Sequence, residues 1–253
     1  FPGCVDFMDV EVKFTHLNKG DADHASIAAA SIKLLNYADI DPLVLDMNVF
    51  KCSGHDQLWQ GNLEVYDALK EHNKRRLKES GIKILTCSCA ECYRTFAVDY
   101  DLPNTLGIKV EHITQTLQGR GLKFKAPENV TVSYHDPCRL GRMMGEYEAP
   151  RDLIQLVDGA TMVELENNKE RALCCGVSSM MYCNDATKAV RRKRLDQGTD
   201  AGIDIMLGGC PKCYMHMQCM LNEERMNPEE GHHHDYEMMD LMQFLVTCLE
   251  DGK

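Results

Sequence analysis

The stretches Cys174-Cys175-Gly176 and Cys210-Pro211-Lys212-Cys213 decide the fold of this chain. They begin 36 positions apart, and the second follows a short apolar run. The same frame occurs earlier, where Cys52-Ser53-Gly54 and Cys89-Ala90-Glu91-Cys92 begin 37 positions apart. Each copy is preceded by a lone cysteine, Cys4 in the first and Cys138 in the second. Repetition of this kind indicates repeated structural units.

Helix and strand patterns alternate along the chain. We predict helices over residues 25–38, 63–77, 151–157 and 185–197, and strands over residues 43–45, 82–85, 129–134, 161–164 and 203–207. Such alternation favours parallel α/β layers. We therefore expect an α/β fold of two pseudo-symmetric Rossmann-like lobes with parallel sheets. The predicted lobes are residues 1–125 and 126–253, divided at the proline-containing stretch 124–128.

Length, charge and cysteine content narrow the class of protein. The 253 residues allow one large domain or two small ones. A net charge of -11 argues against a nucleic-acid partner, because such binding requires Lys and Arg. The 13 cysteines are odd in number and include CxxC pairs, so we predict metal binding in a reducing compartment rather than disulfides. The first residues show no signal-peptide pattern and no initiator Met, so we expect a piece of a longer polypeptide.

Both CxxC motifs lie between an apolar strand pattern and a helix pattern. This position places their thiolates at the carboxyl end of a strand, where α/β sheets bind ligands. It also places them near a helix N-terminus, whose partial positive charge stabilises anionic sulfur. Zinc and iron-sulfur clusters accept the same ligands, and zinc stays open as the alternative. The second half, however, supplies five cysteines, one more than a tetrahedral zinc site uses, which favours iron and sulfide.

The second half resembles the cysteine-rich CCG domain found in the B and D subunits of heterodisulfide reductase, and in the K subunit of the dissimilatory sulfite-reduction membrane complex. The residues that carry the resemblance are His135-Asp136-Pro137-Cys138, Cys174-Cys175-Gly176 and Cys210-Pro211-Lys212-Cys213. The first half resembles the companion CCG domain through Phe1-Pro2-Gly3-Cys4, Cys52-Ser53-Gly54-His55-Asp56 and Cys89 to Cys92. The resemblance covers nearly the whole chain.

This resemblance implies a noncubane [4Fe-4S] cluster in the second lobe that cleaves a sulfur-sulfur bond. The ligands it implies are Cys138, Cys174, Cys175, Cys210 and Cys213. His135, three residues before Cys138, is a candidate to protonate a departing thiolate near neutral pH. Hydrogen bonding beside the cluster is the role that we favour for it.

The first half departs from the family pattern, because Ser53 stands where a second adjacent cysteine is expected. The remaining thiolates suit a cubane [4Fe-4S] cluster, or the first lobe holds none. Its candidate ligands are Cys4, Cys52, Cys89 and Cys92. Cys87 would point the same way as Cys89 on a strand and so could replace the missing ligand, although we favour a free buried thiol.

Two classes of function follow from the resemblance. The first is a catalytic subunit that reduces, or forms, a disulfide, trisulfide or heterodisulfide of thiol coenzymes or of a small sulfur-carrier protein. The second is an electron-transfer subunit between a dehydrogenase and the quinone pool. A weaker third class is an interaction module whose fold is stabilised by a structural zinc ion. The segment 177–183 lacks the glycine-rich continuation of dehydrogenase-linked members, so we favour sulfur-sulfur reduction.

A partner is expected to supply electrons, because the sequence contains no ferredoxin-type CxxCxxCxxxCP run. Related chains imply an iron-sulfur subunit or a membrane cytochrome subunit of a larger complex in anaerobic metabolism. We expect a cytoplasmic location, peripheral on the inner face of the membrane through that partner.

The remaining cysteines, methionines and histidines are expected to be structural. We predict buried, unreactive thiols at Cys183, Cys219 and Cys248. Met215, Met217 and Met220 are expected to pack in the core. The histidines at 232–234 suggest a metal site, but their loop composition favours solvated side chains. Residues 236–249 are predicted to form a helix whose Met and Leu stripe closes the core or docks a partner subunit.

Overall fold

Parallel strands flanked by helices make up the fold. The computed structural model describes residues 1, 3, 24–44, 49–177, 184–230 and 233–249. The helices are α1 (Ala25–Tyr37), α2 (His55–Trp59), α3 (Leu63–Ser80), α4 (Ala90–Arg94), α5 (Leu102–Leu106), α6 (Ile113–Leu117), α7 (Gly141–Met144), α8 (Glu148–Gln155), α9 (Asp185–Asp200), α10 (Pro211–Met226) and α11 (Leu241–Thr247). The strands are β1 (Ile84–Cys87), β2 (Lys109–His112), β3 (Phe124–His135), β4 (Val157–Met162), β5 (Ile205–Gly208) and β6 (Glu237–Asp240). Thr95–Asp99 forms a π-helical turn, and Lys169–Arg171 and Pro228–Glu230 form 3₁₀ turns.

The strands form two sheets in which every pairing is parallel. β1 pairs with β2, and the other sheet has the order β4-β3-β5-β6. Its central strands are apolar, with Val132, Met206 and Leu207 fully buried. Parallel strands covered on both faces are expected to be apolar in this way. The structure therefore confirms the predicted α/β class with parallel sheets.

Local sequence signals explain where the helices begin and end. Asn184 caps α9 by accepting a hydrogen bond from the backbone amide of Thr187 at 3.0 Å, and the Thr187 hydroxyl accepts one from the Asn184 amide. Gly81 ends α3 in a left-handed conformation. Pro211 opens α10, where the missing amide proton costs nothing. Met215, Met217 and Met220 of this helix are buried, which confirms their core role.

The same unit of strand, helix, strand and helix occurs in both halves. In the first, β1 precedes α4, and β2 leads into α6; in the second, β5 precedes α10, and β6 leads into α11. The helices α6 and α11 even begin alike, with a capping box in which His112 pairs with Gln115 and Asp240 with Gln243. These correspondences support the duplication. The division into lobes at residue 125/126 stays a prediction, and that boundary lies inside β3.

The predictions for residues 236–249 and 43–45 were wrong in part. Residues 236–249 are not one helix, because β6 pairs with β5 before α11 begins. Met238, Leu241, Met242 and Leu245 are buried in this chain, so the stripe packs in the core and does not offer a free docking face. Leu43 and Val44 are exposed and lie outside any strand, whereas Leu45 lies outside the described residues.

The outlying cysteines and histidines behave in different ways. Cys219 and Cys248 are buried, as predicted, whereas Cys183 lies outside the described residues. His233 is exposed, but His234 is buried and lies between Glu224 and Asp196, with contacts of 2.5 Å and 3.1 Å. The prediction that the side chains of residues 232–234 are solvated was therefore wrong for His234. His232 is not among the described residues.

One hydrophobic core joins the two sheets. It includes Leu85 and Phe96 from the first half and Leu195 and Met217 from the second. Among the described residues, no helix is both long and apolar enough to cross a membrane.

Replacing Gly198 in α9 with Ala should destabilise the fold, although Ala normally stabilises a helix interior. A methyl group there would lie 2.7 Å from the Tyr236 ring, which is fixed by its hydrogen bond to the Leu195 carbonyl. We expect a loss of about 1–3 kcal/mol in the free energy of unfolding. The measurement is denaturant unfolding, with Thr199→Ala on the exposed side of α9 as the control. A G198A variant as stable as wild type would show that the ring moves away freely.

Candidate metal centre

The two CxxC motifs occupy equivalent positions in the fold. Cys89 and Cys210 each lie two residues beyond the end of a strand, β1 and β5, and each is the extended residue that precedes a helix. Cys92 and Cys213 lie in the first turns of α4 and α10. The positive ends of these helices therefore face the thiols, as the sequence predicted.

The Cys-Ser-Gly and Cys-Cys-Gly loops have the same local geometry. Gly54 and Gly176 both have φ of 78°. Each donates its amide proton to the sulfur two residues earlier, Cys52 or Cys174, at 3.4 Å. Only glycine suits this conformation at 176, where a methyl group would also collide with the Thr187 carbonyl. The loop shape is therefore kept in the first half, although Ser53 replaces a cysteine.

The five predicted ligands of the second half line one cavity. Cys138, Cys174, Cys175, Cys210 and Cys213 surround it, together with Glu91, Arg139 and Lys212. Cys175, Cys210 and Cys213 are buried, whereas Cys138 and Cys174 are half-buried. The open side of the cavity is therefore at Cys138 and Cys174.

Hydrogen bonds between thiols connect the cysteines into one continuous series. The series runs Cys174, Cys175, Cys213, Cys210, Cys89 and Cys92. The sulfurs of Cys175 and Cys213 and a ring nitrogen of His135 lie within 4.8 Å of one another. Thiols this close can bind one metal centre together.

The thiol pKa values indicate that the cavity needs a positive charge. Burial raises the pKa of Cys138 to about 11. The hydrogen bond that Cys174 gives to Cys175 raises the pKa of Cys174 and lowers that of Cys175. One thiolate is thus stabilised at the expense of its neighbours, and ionising all five requires cations such as iron. The residues therefore fit an iron-sulfur cluster.

His135 is held as a neutral hydrogen-bond donor. Its Nδ1 accepts a hydrogen bond from Arg194 Nε at 3.1 Å, so the proton is assigned to Nε2. Nε2 has no closer hydrogen-bond partner among the described residues, and its proton is directed at the Cys175 sulfur, which lies within 4.8 Å of a ring nitrogen. Burial lowers the pKa of His135. Giving up the Nε2 proton would leave an imidazolate, so this geometry favours a positioning role over a catalytic acid.

Two of the first-half candidate ligands, Cys89 and Cys92, are in contact. Cys89 and Cys92 are hydrogen-bonded, and the Ser53 hydroxyl lies 3.3 Å from Cys92 Sγ. Ser53 thus contacts Cys92 as Cys175 contacts Cys213. Cys4 lies outside the described residues, but its neighbour Gly3 packs against Cys89 and Cys92. Cys87 is fully buried, and burial raises its pKa to about 12, which suits a free thiol.

Charged side chains that sequence reasoning missed join the two halves. Lys212 Nζ lies 2.8 Å from Glu91 and 2.5 Å from Asp56. The Arg139 guanidinium stacks 3.7 Å above the Trp59 ring centre. A signal for the first contact was present in the sequence, because Glu91 and Lys212 are both the third residue of a CxxC motif.

Comparison with known proteins identifies the second-half motif. Residues 132–218 match the model of the CCG cysteine-rich domain, and this range contains all five of its predicted ligands. Residues 132–218 are a cysteine-rich CCG domain. The loop geometry of Cys52 to Gly54 supports a companion CCG domain in the first half.

Several relatives of the chain are named as oxidoreductases or as reductase subunits. It is 32% identical over 213 residues to the D subunit of the dihydromethanophenazine:CoB-CoM heterodisulfide reductase of Methanosarcina barkeri, covering 80% of this chain and 52% of that relative. It is 28% identical over 202 residues to a probable iron-sulfur-binding oxidoreductase of Bacillus subtilis, covering 77% and 28%. It is 27% identical over 208 residues to the EtfAB:quinone oxidoreductase of Syntrophomonas wolfei, covering 76% and 28%. The chain thus spans about half the length, or less, of these curated relatives.

Replacing Lys212 with Met should destabilise this CCG protein in a pH-dependent manner. Burial raises the pKa of Glu91 to about 8, and removal of the ammonium group raises it further. Wild-type Glu91 therefore already holds its proton below about pH 8, so the extra stability loss of the variant grows as the pH rises above about 8, where only wild type ionises this carboxyl group beside Lys212. We expect about 3–5 kcal/mol at high pH, the usual cost of breaking a buried pair.

The check is the free energy of unfolding from pH 5 to 9. Adding Glu91→Gln should remove most of the pH dependence, and Lys109→Met, at a pair whose lysine is exposed, should change little. A K212M variant with the wild-type pH profile would contradict the buried ion pair.

Proposed function

We propose that the chain is the catalytic subunit of an iron-sulfur oxidoreductase that reduces, or forms, a sulfur-sulfur bond at its second-half CCG domain. The observation that carries the proposal is the single cavity lined by Cys138, Cys174, Cys175, Cys210 and Cys213. Five cysteines exceed the four that a cubane cluster uses, so we assign them to a noncubane [4Fe-4S] cluster. When bound, such a cluster supplies electrons one at a time.

The cavity suggests where the substrate approaches. Cys138 and Cys174 are half-buried, while the other three cysteines are buried, so a substrate sulfur reaches the site from the Cys138 side. His135 keeps the Cys175 sulfur in place by hydrogen bonding. Reduction of a disulfide consumes two electrons and two protons and releases two thiols.

The relatives support a substrate class and a kind of partner. The relative in Methanosarcina barkeri is named for a heterodisulfide, which supports a disulfide, trisulfide or heterodisulfide substrate here. Because it is also named as one subunit of a reductase, we propose that this chain works with a partner, either an iron-sulfur subunit or a membrane cytochrome subunit. Such a partner would hold this chain on the inner face of the membrane.

The first half is proposed as an electron relay. Cys89 and Cys92 are hydrogen-bonded, and Cys52 directly precedes Ser53, which contacts Cys92; with Cys4 these three cysteines would supply the four ligands of a cubane [4Fe-4S] cluster. The hydrogen bond between Cys89 and Cys210 brings this site next to the second-half ligands. Electrons from the partner would therefore reach the catalytic site through the first half.

A second candidate function is electron transfer without sulfur chemistry. The relative in Syntrophomonas wolfei is named an EtfAB:quinone oxidoreductase, which supports a link between a dehydrogenase and the quinone pool. In that case the second-half cluster would be reduced and reoxidised without binding a thiol. Paramagnetic resonance separates the two functions, because only a catalytic cluster changes its spectrum when a thiol substrate is added under oxidising conditions.

Replacing Cys175 with Ala should abolish the noncubane cluster and sulfur-sulfur reduction. The change removes the one cysteine that the first half replaces with Ser53, and with it the fifth ligand. Anaerobic iron and sulfide quantification, paramagnetic resonance and disulfide reduction with a chemical electron donor are the measurements.

The matched control is Cys248→Ala, which removes a buried cysteine far from the predicted ligands in sequence and should retain the cluster and its activity. Near-normal disulfide reduction by the C175A variant would exclude catalysis at the second-half site. Zinc in place of iron and sulfide in the purified wild-type protein would contradict the cofactor.

A further inference from the structure

Arg194 is a fully buried guanidinium with neutral hydrogen-bond partners. Its Nε donates to His135 Nδ1, and its NH1 donates to the Asn167 carbonyl at 2.6 Å and to Gln197 Oε1 at 2.9 Å. Its NH2 reaches the Tyr134 carbonyl at 3.5 Å. Within the described residues, no carboxylate lies at ion-pair distance from it. Its pKa, lowered by burial to about 10, keeps it charged at neutral pH.

The nearby carboxylates do not neutralise this charge. Asp136 is bound by Arg151 at 2.8 Å, and Glu164 is bound by the same guanidinium at 2.6 Å. A buried charge is costly unless an opposite charge offsets it. The group that Arg194 contacts through His135 is the Cys175 sulfur. The missing negative charge is therefore that of the second-half thiolates.

The equivalent contacts in the first half are made by neutral groups. The Ser53 carbonyl accepts from the Tyr100 hydroxyl at 3.0 Å, whereas the Cys175 carbonyl accepts from Arg191 Nε at 3.1 Å. Asn73 Nδ2 donates to the Cys52 carbonyl. Phe1 stands three residues before Cys4, as His135 stands three residues before Cys138. The two loops thus share a backbone conformation but differ in the charge of the side chains that contact their carbonyl groups.

We propose that Arg194, acting through His135 on Cys175, makes the second-half site the more easily reduced of the two. Each added electron is negative, so a fixed positive charge and a hydrogen bond to a ligand sulfur both stabilise the reduced state. Electrons would then pass one at a time from the first-half site, which is oxidised, to the second-half site, which is reduced. This inference rests on the proposed iron-sulfur function and adds the side chain that sets the order of the two reduction potentials.

The test is a redox titration of the full chain, followed by paramagnetic resonance, for wild type and Arg194→Gln. Signals are assigned with Cys92→Ser and Cys213→Ser variants. R194Q should lower the reduced-to-oxidised ratio of the second-half site about tenfold at a fixed potential, which is about 59 mV for one electron. The first-half potential should stay unchanged. Lys193→Gln removes an exposed charge from the same helix and is the matched control.

A second variant covers the case in which R194Q does not fold. His135→Phe copies the first-half residue and keeps the Arg194 charge, so it should shift the second-half potential in the same direction by a smaller amount. Unchanged potentials in the folded variants, equal shifts at both sites, or a wild-type second-half potential below the first would overturn the inference. If the wild-type protein reduces disulfides although its second-half potential lies below its first-half potential, the proposed function stands and only this inference fails. A wild type without a cluster would overturn both.

Discussion

The crowding of cysteine sulfurs in one buried cavity is the constraint on which the rest of the structure depends. Burial and mutual proximity oppose the ionisation of these thiols, yet metal binding requires it. The fold meets that requirement with groups that favour negative charge. Both CxxC motifs lie at helix N-termini, both glycine loops direct an amide proton at a sulfur, and His135 donates to Cys175. The two parallel sheets matter mainly because the carboxyl ends of β1 and β5 bring the two CxxC motifs together.

The two halves use one backbone plan for two chemical environments. The loops around Gly54 and Gly176 have the same φ and the same amide-to-sulfur distance. What differs is the set of side chains. Ser53 has a hydroxyl where Cys175 has a thiol, and their carbonyl groups accept from the Tyr100 phenol and the Arg191 guanidinium, respectively. The proposed duplication accounts for the shared geometry, and the substitutions account for the proposed difference in function. Under that proposal, a relay and a catalytic centre lie side by side without separate folds.

The sequence was a good guide where the signal was local. The helices over 25–38, 63–77 and 185–197 have periodic patterns, and the structure has them within a few residues. The strands β2 and β6 were missed because each is four residues long and lies next to a helix. At 236–249 the residues of β6 also fit the helical period, so one long helix was predicted there. The cysteine frame located the cavity, since a repeated spacing survives without any contact information. Arg194 was not predictable, because its role depends on which groups fold against it, and the pair of Lys212 with Glu91 was signalled only by their matching positions in the two CxxC motifs.

The ion pair between Glu91 and Lys212 has a consequence for how such a site can be assembled. The two residues hold the same position in the two copies of the motif. Consider a symmetric dimer in which each subunit carries only one copy of the motif. The same residue of both subunits could then meet across the two-fold axis, and two identical ionisable side chains would carry like charges. Joining both copies in one polypeptide removes this restriction, because the two positions can then differ. A fused chain can therefore place opposite charges, and two unlike metal sites, across an axis that identical subunits could not.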